Sequence, residues 1–362
     1  MSIDPRTPCI IGTARRTWRD PSANVEPLDM WAEVARAAAA DASDGAWAST
    51  HADSILGAVD DLGLVHCQSW YYDRPIGRLS ERLALRPARR EVSILAGTSP
   101  QRLLDRAAVR LLHGDTSVAL VVGGEALSTR KAHARAGELP AWSYPHPVPP
   151  RLPIDVDEWY LPTEIAHGVL PAWLTFALLE QARWAARGAT ASDRAQMGFV
   201  MDRLNAVAAT NPDAWFTERR HGAELTEPGP DNRMISTPYT KRMTAFLDVD
   251  MAAANLMVTH EVAERWGVPP ERRVYLRGWG FARDAVHLAE RQELHQSDGM
   301  RSAITQALDQ ARLGVADVDI FDLYSCFASA VQFALDALGI EADDPRPLTV
   351  TGGLPYHGGP GS

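Results

Sequence analysis

Cysteine is scarce in this 362-residue chain, and Cys9, Cys67 and Cys326 are too few and too scattered for a disulfide framework or a paired zinc motif. Their odd number argues for free thiols in a reducing compartment, and no structural metal is implied. Long hydrophobic runs are also missing. No stretch approaches the roughly 20 uninterrupted apolar residues that a membrane span requires, so a soluble protein is expected. The N-terminus, MSIDPRTPCIIGTARR, lacks a basic segment followed by an apolar core and a small-residue cleavage site, which predicts a cytoplasmic location. Positive charge is short too: 36 basic residues stand against 46 acidic ones, and the net charge of -10 disfavours a nucleic-acid partner.

What is present is an ordinary globular composition, 46% hydrophobic and 23% charged, in a chain long enough for two or more packed lobes. Pro8 to Gly12 reads as a short buried strand, and Leu28 to Asp41 as a helix with Leu28, Trp31, Val34 and Ala35 on one face. Ser99 to Gly114 forms the best-defined local unit. Ser99 is placed as a cap, Pro100 in the first turn and Gly114 at the end, with Leu103, Leu104, Ala107, Ala108, Leu111 and Leu112 as the buried stripe. The β-branched run from Ser117 to Val122 suits a central parallel strand, terminated at Gly123-Gly124-Glu125. A similar order returns later, with a strand at Val274 to Arg277, a helix from Met300 to Leu313, an acidic turn at Ala316-Asp317 and a strand at Ile320 to Tyr324. Two related α/β halves are therefore expected. Between them, from about residue 128 to 233, prolines cluster at 140 to 153 and helices are predicted near 171 to 187 and 193 to 210. That stretch reads as an insertion, either a structural excursion or a lid over a substrate tunnel.

Several segments, in order, resemble the thiolase superfamily, especially its sterol-carrier-protein-linked and acetyl-CoA acetyltransferase-like branch. Gly123-Gly-Glu-Ala-Leu-Ser128 is similar to that family's GG-x-E-x-(M/L)-S segment. Asn232 to Pro238 and Leu247 to Ala254 are similar to its RMI-x-x-P and DGAAA segments. Asp322-Leu-Tyr-Ser-Cys-Phe-Ala328 resembles its (E/D)-x-(N/H)-(E/D)-(A/C)-F-(A/S) loop, and Gly352-Gly-Leu354 opens what resembles its GG-x-x-x-x-GHP loop. The resemblance spans nearly the whole chain. It implies an α/β thiolase fold of two similar βαβαβαββ halves in layered αβαβα order, divided into a first half at 1–128, an insertion covering the active site at 129–235, and a second half at 236–362. The chain stops at Ser362, in a loop that the family follows with a strand and a second catalytic cysteine, so the second half is expected to be incomplete and to leave a sheet edge unpaired.

The resemblance further implies acyltransferase chemistry on acyl-coenzyme A, with no covalently bound cofactor. It also implies a homodimer, or a partner chain that completes the site. Thiolase chemistry needs a thiolate, an oxyanion hole and an acid or base at the carbon acid. Laying the family's C-x-S-G-x-Q segment on residues 96 to 101 puts Ala96 at the nucleophile position, and alanine cannot carry an acyl group. Thr98 and Ser99 read as cap and turn residues, and Cys67 as a semi-buried loop thiol. Tyr324 replaces the family's Asn or His, either as a hydrogen-bond donor, acid or base at the substrate oxygen or as a tyrosine packed at a strand end. His357 lies nearer the Gly-Gly pair than the family's histidine, and either polarises substrate or is a loop histidine. His357 and Tyr324 are thus the candidate catalytic residues; Cys326, Gly352, Gly353 and Tyr356 are the candidate substrate-binding ones. Retro-aldol cleavage of a β-hydroxyacyl-CoA and noncatalytic acyl-CoA binding are the alternatives.

Overall fold

The computed structural model describes residues 3–43, 52–149, 156–188 and 191–360, without the side chains of 156, 157 and 191–193. Gly361 and Ser362, and the end of the proline cluster at 150–153, lie outside the described residues. The chain divides into two compact units. Residues 1–153, 247–277 and 360–362 form the first, and residues 154–246 and 278–359 the second. This differs from the expected division at 128 and 235: the insertion is split between the units, and the stretch from 247 to 277 returns to the first.

The first unit is built on a six-stranded mixed sheet in the order β3-β2-β4-β7-β1-β8. Its strands are β1 (Pro8–Thr17), β2 (Asp61–Leu64), β3 (Arg89–Val92), β4 (Val118–Ala126), β7 (Asp250–Thr259) and β8 (Val274–Tyr275). β2 runs parallel to both β3 and β4, while β7 lies antiparallel between β4 and β1. The β-branched run of β4 is buried along Val118 to Val122, as a strand covered on both faces must be. Helix α1 (Pro27–Ala42) lays Leu28, Trp31, Val34 and Ala35 against the sheet, all buried as the 3.6-residue period predicts. Trp31 is fully buried and its indole N–H donates to the Gly124 carbonyl at 2.9 Å, so its polar handle is satisfied.

Helix α2 (Ser99–His113) follows β3 and ends on Gly114 at φ +76°, where a left-handed residue closes the last turn. Its N-terminus departs from expectation. The capping position falls on Thr98, whose side chain makes no capping bond, and the Ser99 hydroxyl donates instead to the Ile94 carbonyl at 2.6 Å. Ser99 thereby closes the preceding loop onto the first turn of the helix.

Among its described residues, the second unit's only strands form a hairpin of β5 (Met234–Ser236) and β6 (Tyr239–Thr240), and its other regular elements are helices. Helices α3 (Ala172–Ala186), α4 (Ala191–Ala208) and α6 (Ala328–Leu338) contribute to an apolar cluster that includes Met197, Leu204, Phe327, Val331 and Tyr356, and α5 (Asp298–Ala311) precedes α6. Every residue of α6 from Ala328 to Leu335 is buried, the polar Ser329 and Gln332 included. The strand expected at Ile320 to Tyr324 is an extended segment outside any sheet among the described residues. Two bonds tie it down, from Phe321 N–H to Pro347 and from Leu323 N–H to Leu348, both 2.9 Å. Pro347 has no N–H to return, so the pairing does not extend into a ladder. Hence the second unit does not repeat the first unit's sheet among its described residues. None of the described helices is long and apolar enough to cross a membrane.

Candidate active site

The second unit brings together the two loops that carry all six candidate site residues. The loop from Asp322 to Phe327 precedes α6, and the loop from Gly352 to Gly358 folds onto it. Ser325, 2% exposed, is the link: its hydroxyl oxygen accepts the Leu354 N–H at 3.1 Å and sits 3.0 Å from where a Cβ on Gly353 would stand. A second tie runs through Asp322, whose carboxylate accepts the Thr349 hydroxyl (3.0 Å) and the Val350 N–H (3.1 Å). The Thr349 oxygen in turn accepts the Gly352 N–H at 3.1 Å. Gly352 has φ +111° and Gly353 φ +75°, and a Cβ on Gly352 would lie 2.4 Å from the Ala208 methyl. Glycine is required there for both conformation and space.

That turn aims His357. Its N–H donates to the Gly353 carbonyl at 2.7 Å, and its own carbonyl accepts the Trp215 N–H at 2.9 Å. Its Nδ1 stands 3.2 Å from the Gly358 carbonyl. A carbonyl only accepts, so this contact places a proton on Nδ1, while Nε2 is buried.

Tyr324 is 47% exposed, and the Cys326 sulfur beside it, with desolvation as a second cause, pushes its phenol above the ordinary tyrosine range. It stays protonated at neutral pH and can donate a hydrogen bond, so the base role left open by the sequence is disfavoured. Tyr356 differs from Tyr324. It is 3% exposed, packed in the apolar cluster, with burial and the charge of Asp202 raising its phenol. Its hydroxyl has no hydrogen-bond partner among the described residues.

The first unit gathers a second polar cluster at the carboxyl ends of its parallel strands, the position at which open α/β sheets bind ligands. Glu125, at the end of β4, is 1% exposed. Its carboxylate accepts the Gln68 N–H (2.7 Å), the Ser69 N–H (2.8 Å) and the Cys67 thiol (3.3 Å). Burial outweighs these bonds and raises the carboxyl to about 7. The Gln68 side chain reaches the Pro360 carbonyl at 3.3 Å, and the His66 N–H donates to Ser93 at 2.9 Å. Sequence reasoning passed over Glu125 as part of a motif. A lone carboxylate closing an otherwise apolar central strand is the signal that would have found it.

Ala96 lies three residues before α2 in the loop after β3, half-buried, with its carbonyl accepting the Ser99 N–H at 2.9 Å. Cys9 and Cys326 are each pushed up to about 12, chiefly by burial. Cys67, 8% exposed, is raised by burial and by the charge of Glu125. A nucleophilic cysteine needs the reverse, an electropositive and accessible setting.

No family model matches the chain, and no curated protein does. Among solved structures it is similar to a monomeric SCP2-thiolase like protein type 1 from Mycobacterium smegmatis, at 32% identity, over 99% of this chain and 69% of that one, with a TM-score of 0.81. It is also similar to an Ltp2-ChsH2(DUF35) aldolase, at 18% identity over 98% and 86% of the two chains, TM-score 0.73. An acetyl-CoA acetyltransferase from Syntrophomonas wolfei gives 18% identity over 99% and 90%, TM-score 0.62. The last two similarities are of fold alone.

Proposed function

Since the chain belongs to the SCP2-thiolase-like proteins of the thiolase superfamily, we propose that it takes acyl-CoA thioesters as ligand or substrate and handles them without an acyl-cysteine. The observation that carries this reading is the state of the thiols. Residue 96, the position matched to the nucleophile, is alanine, and all three cysteines of the chain are buried with raised pKa values. Transfer of an acyl group through a thioester intermediate has no thiolate to begin from.

What the second unit's loops can supply is carbonyl polarisation. The protonated Tyr324 hydroxyl donates to the thioester oxygen, and negative charge developing on that oxygen strengthens the bond. Glycines 352 and 353 let the loop pack against Ala208, Leu204 and Ser325, and Ser325 holds the two loops in register. Calorimetric titration with acetyl-CoA and longer acyl-CoAs tests the binding, and the infrared carbonyl stretch of the bound thioester tests the polarisation. Saturable binding with the stretch moved to lower frequency, and that shift lost in Tyr324→Phe, is the expected result. An absence of binding, or an acyl group retained on the denatured protein, overturns it.

A second reading, retro-aldol cleavage of a β-hydroxyacyl-CoA, is favoured by the placement of His357 on the loop that packs against the Tyr324 loop. Its imidazole takes the β-hydroxyl proton as the bond between the α and β carbons breaks. The β carbon leaves as an aldehyde or ketone. The electron pair passes into a thioester enolate held by the Tyr324 hydroxyl, and reprotonation at the α carbon gives the shortened acyl-CoA. Carbonyl product released by the wild type and abolished in His357→Ala distinguishes turnover from binding alone.

A further inference from the structure

Behind the Tyr324–Phe327 loop lies a buried polar network that the proposed chemistry does not use. Tyr239, fully buried on β6, places its hydroxyl 2.8 Å from the Glu180 carboxylate and 2.8 Å from the Ser329 hydroxyl. A phenol has one proton, and the carboxylate is the stronger acceptor. Tyr239 therefore donates to Glu180, and Ser329 donates back to Tyr239. The Gln332 amide, turned so that its nitrogen faces Glu180, donates to that carboxylate at 2.6 and 3.2 Å. Glu180, Ser329 and Gln332 are each fully buried.

These four side chains join α3, β6 and the first turns of α6, and one of them, Tyr239, packs on the ring of Phe327. Phe327 stacks on Phe176 at 4.8 Å between centroids and meets Tyr239 at 5.1 Å. Phe327 adjoins Cys326 and is three residues from Tyr324. The Cys326 carbonyl accepts the Ala245 N–H at 2.9 Å, on the segment that leads away from β6. Burying a carboxylate and three other polar side chains opposes folding unless their bonds are all made. What such a network gives in return is one geometry for the groups it touches. Helix α3, part of the stretch read from the sequence as a lid or an excursion, is thereby built into the support of the loop.

We propose that Tyr239 is a positioning residue, which through Phe327 and Ser329 fixes the backbone that aims Tyr324, with Glu180 on α3 as its anchor. The proposal rests on the reading of Tyr324 as the carbonyl donor, but the placement of the loop can be measured without ligand.

The experiment follows the alkylation rate of Cys326 by peptide mass spectrometry in the ligand-free protein, with Cys9 and Cys67 as internal references in the first unit. Tyr239→Phe removes the hydroxyl and keeps the ring. Losing one buried hydrogen bond at the loop's support is expected to speed Cys326 alkylation by about fivefold or more through local opening, with the two reference rates unchanged. Glu180→Gln is the conservative rescue: its carbonyl accepts from Tyr239, and Gln332 can turn its amide to match, so the rate stays near wild type. Should Tyr239→Phe fail to fold, Ser329→Ala decides, with an increase of about threefold expected. Unchanged Cys326 rates in Tyr239→Phe and Ser329→Ala overturn the proposal, as does an equal acceleration of all three cysteines. The bound-thioester stretch adds a readout beyond loop stability, since Tyr239→Phe should bind acyl-CoA yet lose about half the wild-type shift. Absence of a shift in the wild type counts against the carbonyl-donor reading, while the alkylation rates still decide the placement.

Discussion

Replacing Glu125 by glutamine should change the pH dependence of stability in a direction opposite to that of most carboxylates. Glu125 is 1% exposed, and its carboxyl is raised from 4.5 to about 7, chiefly by burial. A folded-state pKa above the unfolded one means the folded protein holds a proton between these values that the unfolded chain has released. The stability contributed by this proton is complete below pH 4.5 and is lost as pH rises through about 7. At ~1.4 kcal/mol per pKa unit, the whole interval is worth about 3 kcal/mol. Glutamine cannot titrate. It keeps one acceptor for the Gln68 and Ser69 N–H groups and sets an NH2 against the other, a pH-independent cost of about 1–3 kcal/mol. Glu125→Gln should therefore be destabilising by up to about 2 kcal/mol at pH 5 and neutral to stabilising by up to about 2 kcal/mol at pH 8. Urea unfolding of both proteins at each pH, followed by circular dichroism, gives the two gaps. A gap that stays constant from pH 5 to 8, or widens as pH rises, would refute the reasoning.

Three further outcomes follow from the site. Gly352→Ala forces a Cβ to 2.4 Å from the Ala208 methyl at φ +111°, and should lower stability by about 2–3 kcal/mol or more in the same unfolding assay. Ser325→Ala removes the acceptor of the Leu354 N–H and should cost about 1–3 kcal/mol, with faster amide exchange at Leu354 as its local signature. Exposure of the native protein to a thiol reagent at neutral pH should label none of the three cysteines quickly, since all are buried and raised; rapid labelling of Cys326 would contradict the assignment of the thiols.

The parts of the fold legible in the sequence were those written locally. The α1 stripe and the α2 boundaries depend on neighbours a few residues apart, and the structure places them within a residue or two of expectation; the apolar run of β4 is buried as expected, but the strand continues through Gly123, Gly124 and Glu125 to Ala126 instead of ending there. Non-local pairings were out of reach. Nothing in Asp250 to Thr259 says that this strand enters the sheet between β4 and β1, and that insertion moved the unit boundary. The apolar, aromatic run at 320–324 reads as a strand by composition, yet a strand requires a partner able to return its bonds, and Pro347 cannot. The candidate site divides in the same way. Its glycines, Tyr324 and His357 were visible as a motif, whereas Ser325 as the link between loops, Glu125 as a buried acid and the Tyr239–Glu180 pair, 59 residues apart, emerge only once the chain is folded.

The central claim, that acyl-CoA is held without an acyl-enzyme, is tested most directly by intact-protein mass spectrometry, under denaturing conditions, on protein saturated with acetyl-CoA. The account predicts saturable binding by calorimetry and a polypeptide mass unchanged by the ligand. A covalent acyl group on the denatured chain, mapped to any of Cys9, Cys67 or Cys326, would contradict it.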